Sequence, residues 1–130
     1  MFAGVLESYC ALGLRYWSGT GVEEDKDEAF KWFLKGAEFG HADSELNAGN
    51  YLLEKKQYER AKDFFESSAM RGCARAMASL GDIYKRGFSV PVDIDKARKL
   101  YQKAKDNGYN LNVQKELDRF DVKAAFVGKK

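Results

Sequence analysis

The chain contains a single proline, Pro91, and a single histidine, His41. Scarce breakers beside abundant Ala, Leu, Lys and Glu favour helix. β-branched residues are sparse, and no long apolar–polar alternation marks a strand. One histidine and two cysteines, Cys10 and Cys73, are too few for a metal cluster, which needs several ligands at matched spacing. The cysteines lie 63 positions apart, a density that makes no disulfide framework, so both are expected as free thiols in a reducing compartment. No apolar run approaches the ~20 residues of a membrane-spanning helix. The stretch from Phe2 to Leu6 is too short for a signal-peptide core and has no basic residue before it, so a soluble, cytoplasmic protein is expected. Charge is nearly balanced, 22 basic against 20 acidic residues, with no basic stripe, so nucleic acid is not an expected partner.

What is present is a core-forming composition. With 130 residues, 45% hydrophobic and 14% aromatic, the chain suits one domain over residues 1–130. Within it runs an internal repeat. Leu12-Gly13-Leu14-Arg15-Tyr16 and Leu80-Gly81-Asp82-Ile83-Tyr84 both read L-G-x-x-Y, and Ala48-Gly49 stands between them with Leu52 at the tyrosine position. A second landmark follows each: Ala29, Trp32, Phe33, Ala37 and Gly40; Ala61, Phe64, Phe65, Ala69 and Gly72; Ala97, Leu100, Tyr101, Lys103 and Gly108. The three closing glycines are 32 and then 36 residues apart.

Each unit therefore reads as two helices. Helix A carries L-G-x-x-Y. A glycine inside a helix costs about 1 kcal/mol against alanine, so Gly13, Gly49 and Gly81 imply a close neighbour, expected to be a second helix backbone. Helix B starts at Asp25 and at Asp93, where a carboxylate can cap free amides, and Asp25 with Glu28 fits a capping box. Positions 29, 32, 33 and 37 fall on one helical face, as do 61, 64, 65 and 69, which makes the aromatics core. Helix B ends at its glycine, which adopts a left-handed conformation cheaply. The A-to-B loop of the middle unit is four residues shorter than its neighbours.

These spaced positions resemble the Sel-one-like repeat, a relative of the tetratricopeptide repeat. Unit one matches from Leu12 to Gly40, including Gly19, Gly21, Val22 and Asp25; unit three matches through Gly87, Val90, Asp93, Lys96 and Gly108. The middle unit lacks the G-x-G-V loop and the aspartate cap. The resemblance implies an all-α, right-handed α–α superhelix of three helix hairpins, about residues 6–40, 41–72 and 73–108. It also implies an adaptor or scaffold binding a protein or peptide, and not an enzyme; small bacterial members include immunity proteins against toxins. The groove would be lined from the A helices: Glu7, Cys10, Leu14 and Trp17; Asp43, Leu46, Asn50 and Leu53; Arg75, Ala78, Asp82 and Lys85. Trp17 is either an interface anchor or packing on the next loop. Peptide or glycan binding is the alternative, and a hydrolase the remotest.

No cofactor is expected. His41 reads as structural, and Gly19–Gly21 has neither the lysine nor the preceding strand of a phosphate loop. Beyond the repeats, Val113, Leu117, Phe120 and Ala124 sit at helical spacing after Asn110, a possible cap. A helix over about 110–127 would cover the open end of the stack, or else dock another chain.

Overall fold

The computed structural model describes residues 2–109, 113–117 and 119. Up to residue 109 the described chain forms six successive helices: α1 (Phe2–Ser18), α2 (Lys26–Glu38), α3 (Ala42–Glu54), α4 (Tyr58–Met70), α5 (Ala74–Arg86) and α6 (Ile94–Asp106). They pair as α1/α2, α3/α4 and α5/α6, and each hairpin packs on the next, with α1 also touching α3. Among the described residues there is no strand.

The helical glycines explain how each pair closes. A Cβ on Gly13 would lie 2.5 Å from Phe33 Cε1, one on Gly49 2.6 Å from Phe65 Cε1, and one on Gly81 2.9 Å from Tyr101 Cε1. The nearest neighbour that needs the missing side chain is thus the second aromatic of helix B, not a helix backbone as expected; at Gly13 a carbonyl oxygen, that of Ala29 at 3.1 Å, also crowds the same space. Phe33, Phe65 and Tyr101 are the fully buried pegs of the three units, while Trp32 and Phe64 are half-buried. Phe64 bridges the cores of units one and two, and Trp32 faces Tyr9 at 5.9 Å between ring centroids.

Both ends of helix B are fixed by backbone hydrogen bonds. Asp25 accepts from the Glu28 amide and Asp93 from the Lys96 amide, each at 3.0 Å. The reciprocal half of the expected capping box is replaced: the Asp25 N–H donates to the Tyr16 carbonyl at 2.8 Å, and the Asp93 N–H to the Tyr84 carbonyl at 2.9 Å. The short middle loop closes the same bond, Gln57 N–H to Leu52 carbonyl at 2.9 Å, without a side-chain cap. At the other end Gly40, Gly72 and Gly108 have φ of +76°, +94° and +95°. The residue after each glycine donates back into the last turn, His41 to Gly36, Cys73 to Ser68 and Tyr109 to Ala104, at 3.0–3.1 Å, which satisfies carbonyls the helix leaves free.

Residues 113–117 are helical, and Val113 and Leu117 are buried with Met77, Ala97, Tyr101 and Ala104, covering that end of the stack. Lys85 reaches Glu116 at 2.9 Å. Asn110, Phe120, Ala124 and the remainder of the expected 110–127 helix lie outside the described residues.

Candidate functional site

A concave trough runs along α5. Three cavities, of about 540, 250 and 400 Å³, follow one another from its first turn to its last. They join because Leu46, Asn47 and Arg75 line both the first and second, Ala78 and Asp82 both the second and third, and Tyr109 all three. The floor is α5. One wall is α3, the other Tyr109 with Val113, Lys115, Glu116 and Arg119.

Helix spacing puts these side chains in one row. Asp43, Leu46, Asn47 and Asn50 share a face of α3, and Arg75, Ala78, Ser79 and Asp82 occupy the equivalent face of α5, 32 positions on. The buried aromatics lie behind. Leu46 presents little surface, 5%, yet closes the bottom of the first two cavities. Leu14, 44% exposed, and Cys10 line the first cavity from α1.

Nine of the twelve groove positions expected from sequence line the trough: Cys10, Leu14, Asp43, Leu46, Asn50, Arg75, Ala78, Asp82 and Lys85. Lys85 lines its far end. Glu7, Trp17 and Leu53 do not line it. Glu7 is exposed on α1, and Leu53 is half-buried against the core of units two and three. Trp17 sits in an aromatic cluster at the loop edge, 6.2 Å from the Phe33 ring and 6.5 Å from that of Tyr51, with Lys26 Nζ 4.7 Å over its face. There the Tyr51 phenol is pushed up, first by its hydrogen bond to Asp27 and then by burial.

Other lining residues carry no mark in the repeat pattern. Asn47 and Ser79 are equivalent positions in units two and three, one turn before Asn50 and Asp82, and their spacing alone could have identified them. Asn107 and Tyr109 belong to the turn after α6, and Arg86 and Lys115 close the far end.

The ionic arrangement is uneven. Asp82 accepts from the Tyr101 hydroxyl and lies 3.9 Å from Lys85. Glu116 binds Lys85 at 2.9 Å and Arg119 at 3.3 Å. Burial, reinforced by the Asp82 bond, pushes the Tyr101 phenol far above its ordinary range. The Cys10 thiol is also raised, chiefly by burial, although its sulfur accepts from Asn47 Nδ2 at 3.4 Å. Both cysteines are free thiols. A thiol held protonated is a poor nucleophile. His41 Nδ1 is engaged with Ser44 Oγ at 2.7 Å, at the start of α3. Among the described residues no group of three or more His, Cys, Asp or Glu side chains could hold a metal ion. No helix among them is long and apolar enough to cross a membrane.

A stack of self-similar helix hairpins whose leftover A-helix faces make a trough defines a repeat solenoid. The Sel1 repeat family model matches residues 6–41, 43–73 and 74–109, and the chain belongs to that family. It is similar to a Sel1 repeat protein from Oxalobacter formigenes, with a TM-score of 0.80 and 30% identity over 90% of this chain and 49% of that one. It is also similar to a protective antigen of uropathogenic Escherichia coli displaying an SLR fold, with a TM-score of 0.73 and 31% identity over 82% of this chain and 24% of that one. Among curated proteins, the ERAD-associated E3 ubiquitin-protein ligase component HRD3 of Candida glabrata is 25% identical over 106 residues, 80% of this chain and 13% of that protein. A putative sel1-like repeat-containing protein of Acanthamoeba polyphaga mimivirus is 30% identical over 101 residues, 78% of this chain and 19% of that protein. The chain thus spans a fifth or less of these curated relatives.

Proposed function

We propose that this chain is a non-catalytic protein-binding module, and that a segment of its partner lies in the trough along α5. The observation that carries this is the division of labour along α3 and α5. One face supplies Leu52, Leu80 and Ile83 to the core; the adjacent face presents Asn50, Arg75 and Ser79, which complete no core. Polar side chains in a concave surface are the positioning elements of a binding site. The raised Cys10 thiol and the engaged His41 supply no activated nucleophile. That HRD3 of Candida glabrata is named as a component of a ligase assembly agrees with this reading.

Photo-crosslinking tests it. A benzophenone amino acid at Ser79, inside the trough, should trap a partner that the same group at exposed Lys31 does not; trapping only from Lys31 refutes the reading. Neutralising a toxin is a narrower form of the same activity, and rescue of cells that express the product of a neighbouring reading frame is its test.

A further inference from the structure

The trough has an excess of unanswered positive charge. Of its three carboxylates, Asp82 and Glu116 are already held, by Tyr101 and Lys85 and by Lys85 and Arg119. Among its cations, Arg75, Arg86 and Lys115 have no hydrogen-bond or ion-pair partner among the described residues; Arg86 lies over the Phe88 ring at 5.9 Å and acts on the Tyr101 phenol only through its charge. Among the described residues, three free cations therefore face one free carboxylate, Asp43, which stands at the opposite end of the trough from Arg86.

The shape limits the occupant as well. α5 has 13 residues, so the floor is about 20 Å long. A chain laid along it in extended form advances about 3.3 Å per residue, which gives about six residues. Arg75 and Arg86 are 11 positions apart, roughly 16 Å along the axis, or about five extended residues. Between them Asn47, Asn50 and Ser79 offer both donors and acceptors, as an extended backbone requires because its own N–H and C=O groups have no internal partners.

Resting on the reading of the trough as a protein-binding site, we infer that its occupant is an acidic peptide segment in extended form. Two of its carboxylates, about five residues apart, meet Arg75 at one end and Arg86 with Lys115 at the other. Its backbone is held by the side-chain amides of Asn47 and Asn50, and Asp43, beside Arg75, opposes the acidic side chain at that end.

Selection from a random ten-residue peptide display library against the immobilised full chain at low salt tests this. Enriched peptides should be acidic, with two Asp or Glu residues four to six positions apart. Affinity for a synthetic copy should fall at least tenfold in Arg75→Glu/Arg86→Glu, rise about threefold in Asp43→Asn, and weaken with added salt. All three positions are exposed, and unchanged circular dichroism of each variant excludes misfolding as the cause. Neutral or basic enriched peptides, sequences with apolar residues at helical spacing, or indifference to the double substitution would each overturn the inference. So would the absence of any enrichment. In all of these cases the crosslinking at Ser79 still decides separately whether a protein partner meets the trough.

Discussion

At the scale of single residues, the repeat is a peg and a hole. Gly49 is the hole for Phe65, whose ring would lie 2.6 Å from an added Cβ, and the ring is fully buried with nowhere to retreat. Gly49→Ala should therefore destabilise the protein by about 1–3 kcal/mol, the usual cost of overpacking a core. Gly4 is also helical, but nothing lies within 4 Å of a Cβ built there, so Gly4→Ala should stabilise by about 0.5 kcal/mol. Urea midpoints followed by circular dichroism give both signs; equal effects would mean that helix propensity, not the ring, decides. Tyr101 leads to a pH dependence. The folded protein keeps this phenol protonated above the ordinary value of about 10, so the folded state binds more protons than the unfolded state there. Stability should fall as pH rises past about 10, and Tyr101→Phe should show a shallower fall between pH 9 and 11 in thermal melts.

At the scale of the helices, one bond recurs while its chemistry changes. The first residue before each B helix donates its N–H to the same carbonyl of helix A, that of Tyr16, Leu52 or Tyr84, whether the loop is long or four residues shorter. Only Asp25 and Asp93 add a side-chain cap. Asp25→Ala and Asp93→Ala should each cost about 1 kcal/mol, and Gln57→Ala a few tenths at most, because the Gln57 side chain reaches only exposed Arg60. Denaturant midpoints of the three single variants check the order. The helix ends were legible in the sequence because a cap is a local event: an aspartate before the B helix, and a glycine after it whose positive φ no other residue adopts cheaply. The partner of the helical glycines was not legible. A missing side chain signals only that something comes close, and whether that is a backbone or a ring depends on helix rotation, which spacing leaves open. The trough was legible in part for the same reason. Asn50, Arg75 and Asp82 follow from the repeat register, but Tyr109 and Lys115 reach it from beyond the last repeat. Trp17 lies at the loop end of α1, where it packs near Phe33 and Tyr51 rather than in the trough.

At the scale of the whole molecule, three clusters divide the core in chain order. One is built around Phe33, one around Phe65, and one around Tyr101 with Val113 and Leu117. They are linked through neighbours: Phe30 and Phe64 touch the first two, and Ala69 the last two. In such a stack stability is a sum over units and the interfaces between them, so cooperativity depends on how strong those links are against the weakest unit. Both tryptophans, Trp17 and Trp32, lie in unit one, so their fluorescence reports that unit while circular dichroism reports all helices. In the unaltered chain the two signals should change together. Gly81→Ala forces a Cβ to within 2.9 Å of Tyr101 and weakens unit three alone. Its circular-dichroism midpoint should then fall below its fluorescence midpoint, because unit one keeps its link to α3 after α5 and α6 have come apart. Coincident midpoints in Gly81→Ala would show that the bridging contacts of Phe64 and Ala69 outweigh a lesion of about 1–3 kcal/mol. A stack of this length would then unfold as one block, with its trough lost all at once rather than opening first beside α5.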